Sequence, residues 1–551
     1  VIRTGGYTVT DVSVRIVPKE GGQEIAYKVS DTQVRTHGGI PVFGLYPDWR
    51  NTVEVSYTKT SEGKSERVEK EAYKIYAGPA NIATAGYAGV KSVFPKAKVR
   101  KMSKEFEDRL YLINNMIAAT PNTTRVVWNN PMGGALEWNR YPQNAIYDTK
   151  GELRWYMEPS RIYDPDNVYK AGIMMGFRQN NDGAFTWGYG QRYVKYDLMG
   201  REVFNRRLPD GYADFSHAMD PMQNGNYLVR VASSDHVRPD GKHVHTVRDV
   251  IIEVDPNGQV VDEWRLWDIL DPYRDTVLKV LDQGAVCLNI DASQAGKTLS
   301  AEELARMDQN DKFGDIVGSG AGRNWVHVNS VDYDPTDDSI IISSRHQGIV
   351  KIGRDKKIKW ILASPEGWKK GWAEKVLTPV DAKGNKIKCE GSKCEGDFDW
   401  SWTQHTAWRI DSKSDKNVIY LSVFDNGDGR GMEQPALPTM KYSRAVVYKI
   451  DQKKMTVEQI WEVGKDLGYP FFCPVTGLTK YMEDKDTMMV YWSTAGLGAT
   501  PEKRTNTLGR VMPHIAEYRW GETKPVVDIE LKDTFGYQAF PISVEKAFTK
   551  N

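Results

Sequence analysis

Two reactive residue types are scarce in this sequence: 551 residues include four cysteines and nine histidines. Charge of neither sign is in excess, since 74 Lys and Arg stand against 73 Asp and Glu for a formal charge of +1. A chain so balanced projects no broad field toward nucleic acid or an anionic membrane, so the expected partner is a small molecule. Long hydrophobic runs are missing as well. Nothing approaches the ~18 apolar residues needed to cross a bilayer, and no low-complexity tract interrupts the pattern. The expectation is a soluble protein with no membrane insertion. The sequence starts at Val1, which fits a chain whose targeting segment, if it had one, has been removed.

Two of the cysteines share the stretch K-C-E-G-S-K-C-E-G, residues 388–396. Its polar, glycine-bearing composition reads as an exposed loop, in which Cys389 and Cys394 close a small ring if their Cα atoms come within about 7 Å. Free thiols are the alternative. The disulfide is favoured, and with it an oxidising compartment such as a bacterial periplasm. Zinc would need further Cys or His ligands at suitable spacing; none lies nearby, so no metal is expected. Cys287 and Cys473 read as buried or isolated thiols.

The length allows several domains, and the patterning points to two unequal ones. Residues 1–80 alternate apolar and polar positions in bursts such as T-V-T-D-V-S-V-R-I-V, E-I-A-Y-K-V, V-F-G-L-Y and T-V-E-V-S-Y, separated by G-G, P-D-W and charged turns. That is the pattern of a small antiparallel β-sandwich with one wet face per sheet. Residues 81–115 form a connector: a small-residue stretch, then S-K-E-F-E-D-R-L-Y-L-I-N-N-M, whose i, i+3, i+4 apolar spacing predicts one helix.

From 116 to 551 a loose unit recurs. Strand, polar turn and strand repeat at residues 144–155, 193–204, 250–264, 348–360, 445–461 and 515–529, most ending on an aromatic. Spacing is irregular because of insertions such as L-S-A-E-E-L-A-R-M, which reads as helical. Six irregular four-stranded blades closed into a ring, a β-propeller, account for this all-β pattern better than a second sandwich would.

In a propeller the innermost strands line one channel, so their side chains converge. Those segments read D-F-S-H-A-M-D, N-W-V-H-V-N-S-V-D and W-T-Q-H-T-A-W-R-I-D in three successive units, which puts His217, His327 and His405 at comparable positions. Arg345, in S-S-R-H-Q, is expected on the strand after His327 with reach to the same channel, and His346 on the opposite face. The bland readings are a channel histidine that only bonds water and an arginine paired with an internal carboxylate. Three imidazoles and a guanidinium with no obvious carboxylate suit a tetrahedral anion better than a divalent metal. Arginine offers a planar fork of donors and cationic imidazoles add more, while one neutral imidazole serves as nucleophile at phosphorus or sulfur.

Other motifs fail inspection. A-G-K-T at 295–298 has Asp291 where a phosphate-binding loop needs glycine, and G-S-G-A-G-R at 318–323 lacks the lysine. F-D-N-G-D-G-R-G at 424–431 reads as a tight turn rather than a calcium loop, and K-H-V-H-T at 242–246 as a surface hairpin. Nothing supports a nucleotide cofactor.

With these residues assembled, the chain resembles the bacterial arylsulfate sulfotransferases, most specifically in N-W-V-H-V-N-S-V-D-Y-D, S-I-I-I-S-S-R-H-Q-G-I-V-K-I, D-W-S-W-T-Q-H-T-A-W and S-V-F-D-N-G-D-G-R-G-M-E-Q-P. The resemblance implies a six-bladed propeller preceded by a small β-sandwich, a homodimer, a periplasmic location, and transfer of a sulfuryl group from an aryl sulfate donor to a phenolic acceptor with no cofactor. It implies that His405 is transiently sulfated, that His327 and Arg345 hold the sulfuryl oxygens, and that His217 is a third anion-binding histidine. Asn329 and Thr476 fall in the pocket wall, and Trp400, Trp402 and Trp408 are candidates to flank the aryl rings. The family's short-loop disulfide corresponds to Cys389 and Cys394, and implies a periplasmic disulfide-forming oxidoreductase as partner during maturation. The competing readings are an aryl sulfate ester hydrolase and a non-catalytic propeller that binds an anion or a protein.

Overall fold

The computed structural model describes residues 1–80, 94–118, 140–159, 162, 174–233, 236–237, 241, 243–244, 246, 248–272, 274, 302, 325–432, 438–497, 511–532 and 534–549. The A-G-K-T, G-S-G-A-G-R and L-S-A-E-E-L-A-R-M segments and Cys287 fall outside them, apart from Glu302. Among the described residues strand is the main regular structure, with two α-helices, Asp31–His37 and Val544–Thr549. No described helix is long and apolar enough to cross a membrane.

At the N-terminal end, strand Thr8–Ile16 pairs antiparallel with Ile25–Val29 on one edge and Trp49–Ser61 on the other, and Lys64–Ala77 completes a four-stranded sheet. Val12, Val14, Ile16, Val53 and Val55 are buried on one face, the period of two expected of a half-wet strand. Among the described residues, the layer opposite that face is not a second sheet. Val34 of helix Asp31–His37, the V-F-G-L-Y segment and helix Val544–Thr549 cover it, with Phe548 stacked on Tyr27 at 4.9 Å between ring centroids. V-F-G-L-Y is not the strand its alternation predicts. The Phe43 amide donates to Tyr27 Oη and the Tyr46 amide to Asn51 Oδ1, so side chains satisfy its backbone in place of a ladder.

The helix expected across 103–116 is absent: a short 3-10 turn, Lys104–Phe106, leads into strand Leu110–Ala118. Leu110 and Leu112 pack into one core cluster, Tyr111 and Ile113 into another. A strand buried on both faces carries apolar residues at successive positions, and in such a run helical spacing can be picked out that the chain does not follow.

All six expected hairpins are antiparallel strand pairs, from Arg140–Asp148 with Leu153–Tyr156 to His514–Arg519 with Pro525–Lys532. Their turns have a local cause. In the first three, the carboxylates of Asp148, Asp197 and Asp255 each accept two backbone amides two and four residues on. Gly151, Gly200 and Gly258 supply the left-handed residue, at φ 84°, 83° and 88°. Each hairpin extends into a sheet of four or five strands. Two pairings join distant parts of the sequence: Lys96–Met102 hydrogen-bonds to Pro525–Lys532, and Phe535–Pro541 to Leu110–Ala118.

Candidate active site

Three sheets deliver their histidines at the start of a strand. His217 lies just before Met219–Pro221, His327 just before Val328–Asp334, and His405 opens His405–Arg409. The backbone turns sharply at each place. His217 and His327 have φ of 62° and 46°, Thr406 has 61°, and the ladders shift register between Val328 and Ser330 and between His405 and Ala407. Left-handed non-glycine residues beside strand bulges are uncommon, and such bulges re-aim side chains that regular pleating would send elsewhere.

The aim is convergent: one ring nitrogen from each of His217, His327 and His405 lies within 4.8 Å of the others. All three rings are buried. His405 Nδ1 is 2.8 Å from Asn426 Oδ1, while Asn426 Nδ2 donates to the carbonyls of Cys473 and Thr476 at 2.7 and 2.6 Å. Carbonyls only accept, so the amide orientation is fixed, and His405 Nδ1 must be the donor. Nε2 of His405 therefore carries the lone pair.

Arg345 is anchored by the carbonyls of Thr403 and Pro474 and by Asp428, whose Oδ2 lies 3.2 Å from Nη2. It sits in the turn after strand Ser339–Ser344, not on the strand itself. That turn also corrects the placement of His346: its ring centroid is 5.8 Å from that of His327, beside the cluster and not on an opposite face. Asn329 Nδ2 donates to the Gln404 carbonyl at 2.7 Å and so braces the residue ahead of His405, while its buried Oδ1 has no hydrogen-bond partner among the described residues. The Thr476 hydroxyl is taken up by Ser493 Oγ and the Gly536 carbonyl. Trp400 and Trp402 pack in a core with Leu421 and Val446, and Trp408 lies under Arg178 at 4.5 Å, so the contacts of these rings are with the fold.

The imidazoles are neutral, where the sequence suggested cationic donors. Burial first, then Arg345 and Arg248, push His405 down to about 3 against the opposing hydrogen bond from Asn426. Burial, with Arg248 next, holds His217 and His327 well below the ordinary histidine value. Three neutral imidazoles are a ligand count that zinc accepts, but guanidiniums close enough to depress all three oppose a dication and favour an anion.

The sequence reading missed Ser216, Arg248 and Asn426. Asn426 stood in the segment read as a tight turn. Arg248 precedes the hairpin strand Val250–Val254 much as Arg345 precedes Gly348–Gly353, a correspondence that aligning the six units would have brought out. Of K-H-V-H-T, His243 and Val244 pair with His236–Val237 as two short antiparallel strands, while Lys242 and His245 lie outside the described residues. Cys389 and Cys394 are bonded, with Cα atoms 4.0 Å apart, and Cys473 is a buried free thiol.

Comparison with known proteins agrees with this chemistry. The arylsulfotransferase (ASST) family model matches residues 96–538, and the arylsulfotransferase Ig-like domain matches residues 1–78. "Arylsulfate sulfotransferase AssT" of Lelliottia amnigena is 42% identical over 547 residues, covering 96% of this chain and 87% of that one. The protein of the same name from Escherichia coli O6:H1 (strain CFT073) is 42% identical over 542 residues, covering 95% and 86%. The chain belongs to the arylsulfotransferase family, enzymes of aryl sulfuryl transfer. Among solved structures, a protein of unknown function from Bacteroides caccae aligns at a TM-score of 0.36 and 10% identity, over 76% of this chain and 94% of that one, too loosely to bear on fold or function.

Proposed function

We propose that the protein moves a sulfuryl group from an aryl sulfate to a phenol in two steps, through a sulfohistidine on His405. In the first, Nε2 attacks sulfur in line: the N–S bond forms as the S–O(aryl) bond breaks, and the phenolate leaves with the electron pair. In the second, the acceptor phenol's oxygen attacks sulfur, the N–S pair returns to Nε2, and the phenol's proton passes to a base or to water. The observation that carries this is the fixed amide of Asn426, which leaves His405 with a bare Nε2. While sulfated, the ring keeps its Nδ1–H and is an imidazolium. Burial and the nearby guanidiniums disfavour that cation, which makes the ring a good leaving group for the second step.

Arg345, His327 and His217 are assigned to the charge on the sulfuryl oxygens, and Asn329 and Thr476 to the pocket wall. The six sheets are taken as blades of a closed propeller that follows an N-terminal domain at 1–80 and begins inside the connector expected at 81–115, ahead of the expected start at 116, because Lys96–Met102 and Leu110–Ala118 already belong to two of the sheets. The pairings of Lys96–Met102 and Phe535–Pro541 across the sequence support closure. A periplasmic homodimer, oxidised at Cys389 and Cys394 by a disulfide-forming oxidoreductase, completes the reading; the disulfide supports the compartment.

The test is intact mass after brief mixing with a chromogenic aryl sulfate and no acceptor, followed by peptide mapping without acid. The expected result is one sulfuryl adduct on the His405 peptide, discharged by phenol and missing in His405→Ala. Donor consumed with no adduct would mean direct transfer or hydrolysis, and no consumption a binding protein.

A further inference from the structure

His217 is held by two residues to which the reaction above gives no part. Its Nδ1 lies 2.6 Å from Ser216 Oγ, and Arg248 Nε–H donates to that same oxygen at 2.9 Å. All three side chains are buried, Ser216 at 1% exposure, Arg248 at 2% and His217 at 4%. A buried hydroxyl that already accepts from a guanidinium still has its own proton to place, and Nδ1 is the acceptor within reach. His217 then carries its ring proton on Nε2. His405, with its ring centroid 5.8 Å away, is set the opposite way by Asn426.

We propose that Ser216 and Arg248 are positioning residues that fix His217 as the Nε2–H tautomer, so that it donates to an oxygen of the transferring sulfuryl group while His405 attacks with a bare nitrogen. The inference rests on the sulfuryl-transfer reading of this site and adds to it a division of labour between chemically identical rings. A neutral imidazole free to exchange tautomers would spend part of its time presenting a lone pair to the sulfuryl oxygens, which repels where a donor attracts. The Arg248 and Ser216 contacts remove that state. The charged and titratable groups facing His217 are Arg248, His405, Arg230 and Arg345, with His327 and Tyr537 against its ring, and substitution at Ser216 leaves all of them in place.

Imidazole nitrogen-15 spectra of histidine-labelled protein decide the point, because protonated and bare ring nitrogens resonate far apart; His217→Gln assigns the signals. At pH 7.5 the wild type should give His217 with a bare Nδ1 and a protonated Nε2, and His405 the reverse. Ser216→Ala should mix the His217 tautomers and slow adduct formation by about 10²-fold, the scale of losing one aligned donor, with the donor concentration at half-maximal rate little changed. Ser216→Thr, which keeps the hydroxyl, should restore both. Arg248→Lys keeps the charge but not the Nε donor, and should shift the tautomers in the same direction as Ser216→Ala. A wild-type His217 protonated at Nδ1 overturns the proposal, as does a Ser216→Thr enzyme as slow as Ser216→Ala, which would mean packing alone. If the wild type forms no adduct at all, the sulfohistidine reading fails, and the tautomer spectrum still decides this inference by itself.

Discussion

His405 and Asn426 are joined by a hydrogen bond of 2.8 Å whose direction is set from outside the pair, because the Asn426 amide nitrogen is committed to the carbonyls of Cys473 and Thr476. The orientation of one imidazole therefore depends on two other stretches of chain, the turn at Asn426 and the loop at 473–476. A residue that only filled space beside the ring could not choose which nitrogen stays bare.

Replacing Asn426 with leucine keeps the volume and removes both functions of the amide. Adduct formation should fall on the order of 10²-fold or more, as when other oriented hydrogen bonds at reacting centres are lost. The Thr476 carbonyl loses its donor, while the Cys473 carbonyl keeps the Ser443 hydroxyl at 3.3 Å, so stability should also fall by about 1–3 kcal/mol. Rapid-quench measurement of adduct formation beside urea unfolding separates the two effects. Unchanged adduct formation in a destabilised protein would reduce Asn426 to a packing residue.

Arg345→Lys keeps a positive charge but cannot span Thr403, Pro474 and Asp428 with one ammonium. We expect kcat/KM for the aryl sulfate to drop about 10²- to 10³-fold, with most of the loss in kcat if the guanidinium meets charge that grows during transfer. A loss confined to KM would place its contact in the ground state.

Acid should destabilise the fold earlier than carboxylate titration alone would. His405 is held down at about 3, and His217 and His327 well below their ordinary value, all chiefly by burial. Above the unfolded value of about 6.5 both states are neutral and these groups contribute nothing to the pH dependence. Below it the unfolded chain takes up protons that the folded one refuses, so stability is lost as pH falls toward 3. Between pH 6.5 and 5, where most carboxylates are still ionised, the urea midpoint should already decline, and less steeply in His217→Gln. The matching kinetic expectation is a kcat/KM profile with no acid limb near pH 6.5. A limb there that follows His405 would contradict a buried, neutral nucleophile.

The Cys389–Cys394 bond closes a small ring in a hairpin of two-residue strands whose residues are exposed or half-buried. Chain entropy for so short a loop is worth at most about 2 kcal/mol. Cys389→Ser with Cys394→Ser should lower the thermal midpoint by a few degrees at most and leave turnover intact. Loss of activity on mild reduction, with the fold retained by circular dichroism, would tie the loop to the site.

What could be read from the sequence followed from local rules. The hairpins were legible because Asp148, Asp197 and Asp255 set their turns at fixed offsets from Gly151, Gly200 and Gly258. His217, His327 and His405 stood out because they recur at one place in the unit. Strand alternation misplaced His346, since residues 345–347 have already left the strand for a turn, where alternation has no meaning. The state of the imidazoles was beyond reach for a different reason: burial and the approach of Arg248 and Arg345 exist only once separate sheets are packed. Asn426 and Ser216 act through single contacts whose meaning depends on which partner the folding brings.

The strand pairings across the ends of the sequence bear on when the enzyme comes into being. Lys96–Met102 finds its neighbour in Pro525–Lys532, and Leu110–Ala118 waits for Phe535–Pro541. Hundreds of residues separate the partners in each pairing, and loop-closure entropy makes contacts of such long range slow to form. His405 is synthesised well before Tyr537, whose ring packs against His217. A chain with that strand undocked carries all three imidazoles without the Tyr537 ring against His217. On the sulfuryl-transfer reading, the site is complete only once Phe535–Pro541 docks against Leu110–Ala118 and brings Tyr537 to His217.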